Sequence, residues 1–276
     1  MFTYNNWEQF CKKLNESGIN SVTASSLLVE SYDQPFLVLK HDVETSPEKA
    51  LNMAKIENKY NHKGTYYVQG YLLNSQRNIS ILREIQKLGH EVSYHHDVMD
   101  SNKGNVNKAL VEFKNYVKMF ESQGFLIKTV CQHGNPLVER LGYNSNRDFF
   151  RQKCIQEQFS NVFEIMVNFK EKILSDYLYF SDAGRKYKLI YDPINNDIND
   201  YSDKDIEVNG LSGMFSYFKN NNCILSVHPH RWSRNYFLYF IRSALFKSLR
   251  FLARVAYKIP GLKKIMSKYY YLAKKL

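Results

Sequence analysis

Residues 36–48 read FLVLKHDVETSPE, and this stretch decides the fold. Its first part, FLVLK at 36–40, is apolar and rich in residues that favour strands, which predicts a buried strand. The Thr-Ser pair at 45–46 can cap a helix, and Pro47 suits the first turn of that helix. The stretch is therefore a strand followed at once by a helix, the repeating unit of folds with a mostly parallel sheet.

The same alternation of strands and helices continues to about residue 230, without a linker rich in proline, glycine or serine. We therefore expect one α/β domain over residues 1–233. Seven or eight such units usually close into a barrel, so the expected fold is a single (β/α) barrel, distorted or incomplete, and the polar segment 186–210 should be an exposed excursion. The predicted strands are 36–40, 64–68, 90–94, 127–131, 161–166, 177–180 and 223–227, and the predicted helices are 47–60, 77–88 and 105–122.

Seven of the eight histidines lie in four short clusters, each in or just after a predicted strand. Because the carboxyl ends of parallel strands meet at one edge of a sheet, the clusters should form one site. Neutral imidazoles and carboxylates bind zinc or a harder transition ion, which activates water for hydrolysis, so we predict a metal-dependent hydrolase. The clusters are KHDVE at 40–44, GHEVSYHHD at 89–97, CQHGNP at 131–136 and SVHPHRW at 226–232, and SDAGR at 181–185 follows another strand in the same way.

Each candidate residue also has a purely structural interpretation. A single histidine near a strand end is more often packed or hydrogen-bonded than bound to a metal, and His90 is best explained in that way. Asp42 and Glu44 could instead cap the following helix, and we expect both to join the site only if the chain turns after Asp42. Arg231 and Trp232 could equally close the rim of the barrel. Asp182 and Arg185 could equally be an ion pair that stabilises a turn.

The net charge of +11 comes from one end of the chain. Thirteen of the 38 Lys and Arg residues follow Glu207 and no acidic residue does, so residues 1–207 hold 25 basic and 27 acidic side chains. A nucleic-acid groove would carry basic residues through the body of the protein, so we expect no nucleic acid partner. The four separated cysteines predict neither a disulfide framework nor a cysteine zinc site, and residues 1–18 lack the pattern of a secretory signal, so we expect a cytoplasmic protein.

Residues 234–276 form the basic end of the chain. The four cations from Lys247 to Lys258 fall in a narrow sector of a helical wheel, with apolar residues spread over the rest. Cations interrupt the segment too often for a bilayer span, since its longest apolar run is residues 236–241. We therefore expect a basic amphipathic helical tail that lies on an anionic membrane surface, at the inner face of the cell membrane. The alternative is a helix that packs on the barrel with its basic face in solvent.

In this order the clusters resemble the motifs of NodB-homology polysaccharide deacetylases, carbohydrate esterase family 4, in a bacterial branch whose first motif is His-Asp-Val-Asp. The resemblance spans about residues 35–233 and implies a seven-stranded barrel. HDVE at 41–44 matches the first motif with Glu in place of the final Asp, and GHEVSYH at 89–95 matches the second. In well-known members a second metal-binding histidine follows four residues later, where this chain has Met99.

The resemblance implies hydrolysis of an N-acyl group on an amino sugar, with a divalent metal ion, zinc by preference, as cofactor. Asp42 would act as the base and His228 as the acid. Glu44, His95 and His133 would bind the ion, with His133 replacing the missing histidine. The residues expected to hold the substrate are His41, His96, Asp182, Arg185, Arg231 and Trp232.

The resemblance also implies a biological setting, the synthesis of a bacterial surface polysaccharide such as O-antigen or capsule. The carbohydrate substrate would be lipid-linked or nucleotide-linked. Two other functions stay open: a metal-dependent hydrolase of another amide or ester bond, and a catalytically decayed glycan-binding or assembly protein, which Met99 would permit. Substrate profiling distinguishes the first, and a folded protein without bound metal would favour the second.

Overall fold

The computed structural model describes residues 1–30, 32, 34–135, 138–196 and 204–256. This part of the chain forms a nine-stranded mixed sheet with helices packed against it. The strands are β1 Leu37–Val43, β2 Gly64–Gln69, β3 Glu91–His96, β4 Thr129–Gln132, β5 Phe163–Glu164, β6 Leu178–Ser181, β7 Lys188–Leu189, β8 Ile206–Glu207 and β9 Cys223–Val227. The α-helices are α1 Tyr4–Glu16, α2 Pro47–Lys59, α3 Gln76–Lys87, α4 Val98–Ser101, α5 Val106–Ser122, α6 Lys153–Gln158, α7 Phe169–Ile173, α8 Phe215–Phe218 and α9 Tyr236–Ala256.

β1 lies in the middle of the sheet and pairs in parallel with β2 on one side and β9 on the other. The strand order is β5-β4-β3-β2-β1-β9-β6-β7-β8, in which β7 and β8 add an antiparallel ribbon beyond the parallel strands. Among the described residues no pairing joins β5 to β8, so hydrogen bonds do not close the sheet. The α/β class is confirmed. The sheet has nine strands rather than seven because the segment 186–210, expected to be only an excursion, contributes β7 and β8.

Each predicted strand overlaps an observed one, and the largest difference lies in β1. This strand runs to Val43, so His41 and Asp42 are inside it rather than in the turn that follows. α1 has no counterpart among the predicted elements. The tail begins with α9, while residues 257–276 lie outside the described residues, and no described helix is long and apolar enough to cross a bilayer.

The side chains of the central strands alternate between two packed faces. Outward residues such as Tyr66 and Tyr94 belong to a core beneath α2, α3 and α5. Inward residues such as Val38, Tyr67 and Ile224 form a separate cluster. Both faces of β1 are buried over its whole length, as is usual for strands covered on two sides, so its polar residues are buried as well.

A buried carboxylate connects the outward face of the sheet to the helices that cover it. Glu57 of α2 is completely buried, accepts a hydrogen bond from Trp7 Nε1 at 3.0 Å and accepts another from the Tyr66 hydroxyl at 2.8 Å. Its Oε1 lies 2.8 Å from Nε2 of His41. Burial alone would raise the pKa of Glu57, but the adjacent His41 and these hydrogen bonds hold that pKa below its ordinary value. One ionised side chain thus joins α1, α2, β1 and β2.

We expect Glu57→Gln to lower the free energy of unfolding by about 3 kcal/mol, because an amide nitrogen would face donors that now share a carboxylate. Urea denaturation measures the change. The matched control is Glu84→Gln, whose side chain is 54% exposed and whose loss should cost below about 0.5 kcal/mol. Equal effects of the two substitutions would contradict a structural role for the Glu57 network.

Candidate active site

Five side chains predicted for the site converge where β1, β3, β4 and β9 end. His228 Nε2 lies 3.7 Å from Asp42 Oδ2 and 3.8 Å from Glu44 Oε1. His133 Nε2 lies 3.2 Å from the same oxygen of Glu44, and the rings of His95 and His133 are 5.2 Å apart between centroids. Residues from four parts of the sequence therefore meet in one place, as the position of the clusters at strand ends indicated.

Both carboxylates reach this place because they are two residues apart, at and just after the end of β1, which puts them on one face. β1 ends at Val43, and Ser46 adopts the left-handed conformation, with φ of +54°. The Tyr71 hydroxyl donates a hydrogen bond to the carbonyl oxygen of Glu44. The expectation that Asp42 and Glu44 share a site only through a turn after Asp42 was wrong, because their spacing alone brings them to one face.

Asp42 forms a buried ion pair with a lysine two residues before it. Lys40 is 1% exposed, and its Nζ lies 2.5 Å and 2.6 Å from the two carboxylate oxygens of Asp42 and 3.1 Å from the Ser226 hydroxyl. Burial alone would raise the pKa of Asp42, but the Lys40 charge outweighs it and holds this pKa well below its usual range. Asp42 is consequently ionised at neutral pH and is a weaker base than an isolated carboxylate.

His228 is held by a second buried carboxylate. Asp182 is completely buried, lies 2.6 Å from His228 Nδ1 and accepts the backbone N–H of the same histidine at 3.1 Å. Arg231 Nη1 donates to Asp182 Oδ1 at 2.7 Å, the same oxygen that lies next to His228 Nδ1. Burial would raise the pKa of Asp182, but the charges of Arg231 and His228 keep it lowered. The Asp182 contact leaves Nε2 of His228 directed at Asp42 and Glu44.

His95 has the features of a metal ligand. Its Nδ1 lies 3.0 Å from the carbonyl oxygen of Cys131, which leaves Nε2 for a ligand. Burial, with a further contribution from His133, lowers the pKa of His95 to about 3, so the ring is neutral, as metal coordination requires. Two sets of three donors have ligand atoms within 4.8 Å of one another: Asp42, His95 and Cys131, and Glu44, His95 and His133.

The chemistry of the donors favours the set with Glu44, His95 and His133. Burial raises the pKa of the Cys131 thiol well above its usual value, and the nearby Lys40 offsets this only in part. Lys40 also occupies both oxygens of Asp42. Glu44 and the two histidines are a neutral-to-anionic set of nitrogen and oxygen donors that suits a divalent ion. The residues present therefore fit a metal ion.

Two histidines expected to hold the substrate lie on the wrong side of their strands. His41 is completely buried on the face opposite Asp42, stacked on Tyr66 at 4.1 Å and paired with Glu57. His96 is likewise completely buried and packs against phenylalanines such as Phe113. The physical reason is the two-residue period of a strand, since neighbours of inward-facing residues must face outward. Neither histidine can reach a substrate in this arrangement.

The other residues expected to hold the substrate differ in their positions and contacts. Trp232 is completely buried with its ring 5.0 Å from that of Trp7, so it cannot stack on a sugar. Asp182 and Arg231 act on His228 instead of facing a ligand directly. Arg185 remains at the edge of the site, half-buried with its guanidinium 4.9 Å from the centre of the Phe246 ring.

Sequence reasoning missed Lys40, Cys131 and Ser226, which surround Asp42. The signal for Lys40 was present, because a lysine two residues before Asp42 in an otherwise apolar strand must share the face of Asp42. Met99, in the position of the usual second histidine, is 2% exposed and belongs to the outward core. It lies on the side of the sheet away from the site.

No family model matches the sequence, and no curated protein sequence matches it. Among solved structures, the chain is similar to a family 4 carbohydrate esterase from Streptococcus mutans, with a TM-score of 0.46, 13% identity, and coverage of 79% of this chain and 82% of that one. It is also similar to a family 4 pseudoenzyme from Bacillus anthracis (TM-score 0.39, 12% identity, coverage 71% and 56%). A third similar structure is the peptidoglycan deacetylase PdaC from Bacillus subtilis (TM-score 0.31, 13% identity, coverage 71% and 88%).

We expect the purified protein to bind about one zinc-like ion per chain, and His95→Ala to lose most of it, because both donor sets include His95. Elemental analysis and zinc titration measure the stoichiometry. His133→Ala should weaken binding strongly and Cys131→Ser should not, if the ion is bound by the Glu44 set. The opposite result would assign the ion to Asp42, His95 and Cys131, and unchanged binding by His95→Ala would exclude both sets.

Proposed function

We propose that this protein is a metal-dependent hydrolase that removes an N-acyl group of the acetyl type from an amino sugar. The observation that carries the proposal is the convergence of two carboxylates, two candidate ligand histidines and a histidine held by a buried aspartate. Hydrolysis of an amide needs a group that takes a proton from water and a group that gives one to the leaving amine. Asp42 and His228 are adjacent and suited to these two tasks.

Asp42 would take the first proton. Its carboxylate is ionised, faces His228 across 3.7 Å and can accept a hydrogen bond from a water molecule between them. Lys40 fixes the orientation of the carboxylate and limits its basicity, so the proton would be passed on rather than retained. When bound to Glu44, His95 and His133, the metal ion would polarise the acyl carbonyl and acidify the water.

His228 would protonate the leaving amine from Nε2. Asp182 fixes the other ring nitrogen and stabilises the protonated ring, and Arg231 keeps Asp182 ionised and in place. The two proton-transferring groups thus have different electrostatic partners, Lys40 for Asp42 and Asp182 for His228. Such a difference in surroundings lets one group be a base while the other is an acid at the same pH.

We expect His228→Gln to lower kcat for acetate release by about 10²–10⁴-fold without a large change in melting temperature, because it removes a proton donor and keeps the side-chain volume. The assay uses a panel of N-acetylated glycans: chito-oligosaccharides, peptidoglycan fragments and nucleotide-linked N-acetylhexosamines. His62→Gln is the control, since His62 lies outside the site, with its Nε2 2.9 Å from the Cys11 carbonyl oxygen.

Three outcomes would contradict the proposal. Acetate release by His228→Gln at the wild-type rate would remove His228 from the reaction. Hydrolysis of simple esters with no release from any N-acetyl sugar would favour the hydrolase of another bond. A folded wild-type protein that binds glycans, binds no metal and releases no acetate would favour the decayed glycan-binding protein.

We also infer that α9 associates with an anionic membrane surface, in keeping with a role in surface polysaccharide biosynthesis on lipid-linked or membrane-assembled glycans. Its apolar side chains point outward: Phe237 is 73% exposed, Phe240 59%, Ile241 42% and Leu245 45%. The face toward the body carries Tyr239, which contacts Phe2. This differs from the alternative in which the basic face is solvated and the apolar face packs inward.

The charge of this end suits an anionic surface. The exposed side chains of Arg234 and Lys247 accompany the exposed apolar residues, and no acidic residue follows Glu207 in the sequence. Each cation close to an anionic leaflet contributes about 1 kcal/mol, and a phenylalanine buried in the interface adds a similar or larger amount.

We expect the wild type to sediment with phosphatidylglycerol vesicles at low salt and less at high salt, and weakly with phosphatidylcholine vesicles. Phe237→Ser/Phe240→Ser should weaken binding at least about tenfold, because it removes the two most exposed rings among the described side chains of α9. Leu126→Ser/Leu141→Ser is the matched control, with 64% and 80% exposed side chains elsewhere. A wild type that ignores anionic vesicles, or equal binding by the two double variants, would contradict the inference.

A further inference from the structure

Four cationic side chains lie on elements that contact one another next to His228. Lys49 lies in the first turn of α2, and Arg185 follows β6 in a 3-10 turn. Arg231 lies in the 3-10 helix after β9, and Arg242 is on α9. Four separate elements thus bring positive charge to one region. The solvated face of a single helix would not produce such a group.

Lys49 and Arg185 are held by contacts that leave their charge uncompensated. The Lys49 amine donates to the carbonyl oxygen of His230, two residues beyond His228. Arg185 lies over Phe246 and has a buried Nη1 without a hydrogen-bond partner among the described residues. Its backbone adopts a left-handed conformation, with φ of +62°, which is uncommon for a residue with a side chain.

Carboxylates do not neutralise the group. Asp182 pairs with Arg231 and is already shared with His228. Within the described part of the chain, Lys49, Arg185 and Arg242 form no ion pair with an acidic side chain. Burial, and then the charges of Arg242 and Arg185, lower the pKa of Lys49 to about 8, which agrees with mutual repulsion at close range. A cluster of this kind is costly until an anion occupies it.

We propose that Lys49, Arg185 and Arg242 form a binding site for a phosphate or diphosphate group next to the candidate active site. The substrate class that follows, which rests on the proposed deacetylase function, is an N-acylated amino sugar attached to a diphosphate. Three cations from separate elements match a group with two or more negative charges and several acceptor oxygens. A single carboxylate would satisfy one of them.

The position of the site supports this substrate class. Arg185 is three residues after Asp182, and the Lys49 amine contacts the carbonyl oxygen of His230, two residues after His228. A diphosphate held there would fix the sugar to which it is joined beside Nε2 of His228, and binding energy at this non-reacting group would position the N-acyl group. The Phe246 ring of α9 lies against Arg185, so a lipid attached to the diphosphate could follow the helix.

Isothermal titration of the purified protein with inorganic pyrophosphate tests the site, with acetate as the monovalent comparison. We expect pyrophosphate to bind well over tenfold more tightly than acetate. Lys49→Gln and Arg242→Gln should each weaken pyrophosphate binding roughly tenfold, because each removes a charge-assisted contact. Lys108→Gln and Lys114→Gln, exposed cations of α5, are the matched controls and should bind as the wild type does.

Binding of pyrophosphate no tighter than that of acetate would overturn the proposal. Unchanged pyrophosphate affinity in both Lys49→Gln and Arg242→Gln would also overturn it, because the anion would then be bound by a metal ion instead. Melting temperatures identify a variant that fails through unfolding; in that case Lys49→Arg, which keeps the charge, must retain binding. Uridine diphosphate and farnesyl diphosphate then distinguish a nucleotide-linked from a lipid-linked source.

The test is independent of catalysis and of membrane binding. Pyrophosphate affinity requires no deacetylation, so a protein that binds pyrophosphate as expected but releases no acetate would refute the reaction and leave the anion site in place. Phe237→Ser/Phe240→Ser should lose vesicle binding and keep pyrophosphate affinity. Loss of both by that variant would mean that the anion contacts depend on α9 packing and not on the three cations.

Discussion

β1 is covered on both faces, so every polar side chain within it must find a partner inside the protein. Lys40 and Asp42 satisfy one another on the inward face, and His41 pairs with Glu57 on the outward face. An isolated charge in either place would cost several kcal/mol. This requirement fixes the register of the central strand, and with it the direction of every residue that follows, because a shift of one residue would exchange the two faces.

The inward pair then defines the electrostatics of the site. Lys40 keeps Asp42 ionised, while Asp182 and Arg231 form a separate arrangement around His228 on the neighbouring strands. The two arrangements face one another across 3.7 Å, between His228 Nε2 and Asp42 Oδ2. Asp42→Asn alone would therefore leave Lys40 buried without its partner, and a loss of activity in that variant would mix chemistry with stability.

The outer side of the molecule also carries groups without partners, at a lower free-energy cost than inside β1. Near His228 the surplus is positive and half-buried, and the apolar face of α9 is in solvent. Both are arrangements that a folded protein avoids unless something else binds there. A diphosphate between the cations and a lipid surface beneath the helix are chemically compatible occupants, since a lipid-linked glycan presents both to one protein.

The sequence by itself determined the α/β class, the strands β1–β6 and β9 with the helices α2, α3 and α5, and the meeting of the histidine clusters, because hydrophobic periodicity and strand-end placement are local properties. The two-residue period of a strand also implies the pairing of Lys40 with Asp42 and the outward direction of His41 and His96, although neither was predicted. Only the tertiary structure decided which groups act on which. Asp182 supports His228, Trp232 is core and the α9 apolar face is exposed, because these depend on contacts between residues distant in sequence. Such contacts are selected by the packing of whole elements, and no local pattern records them.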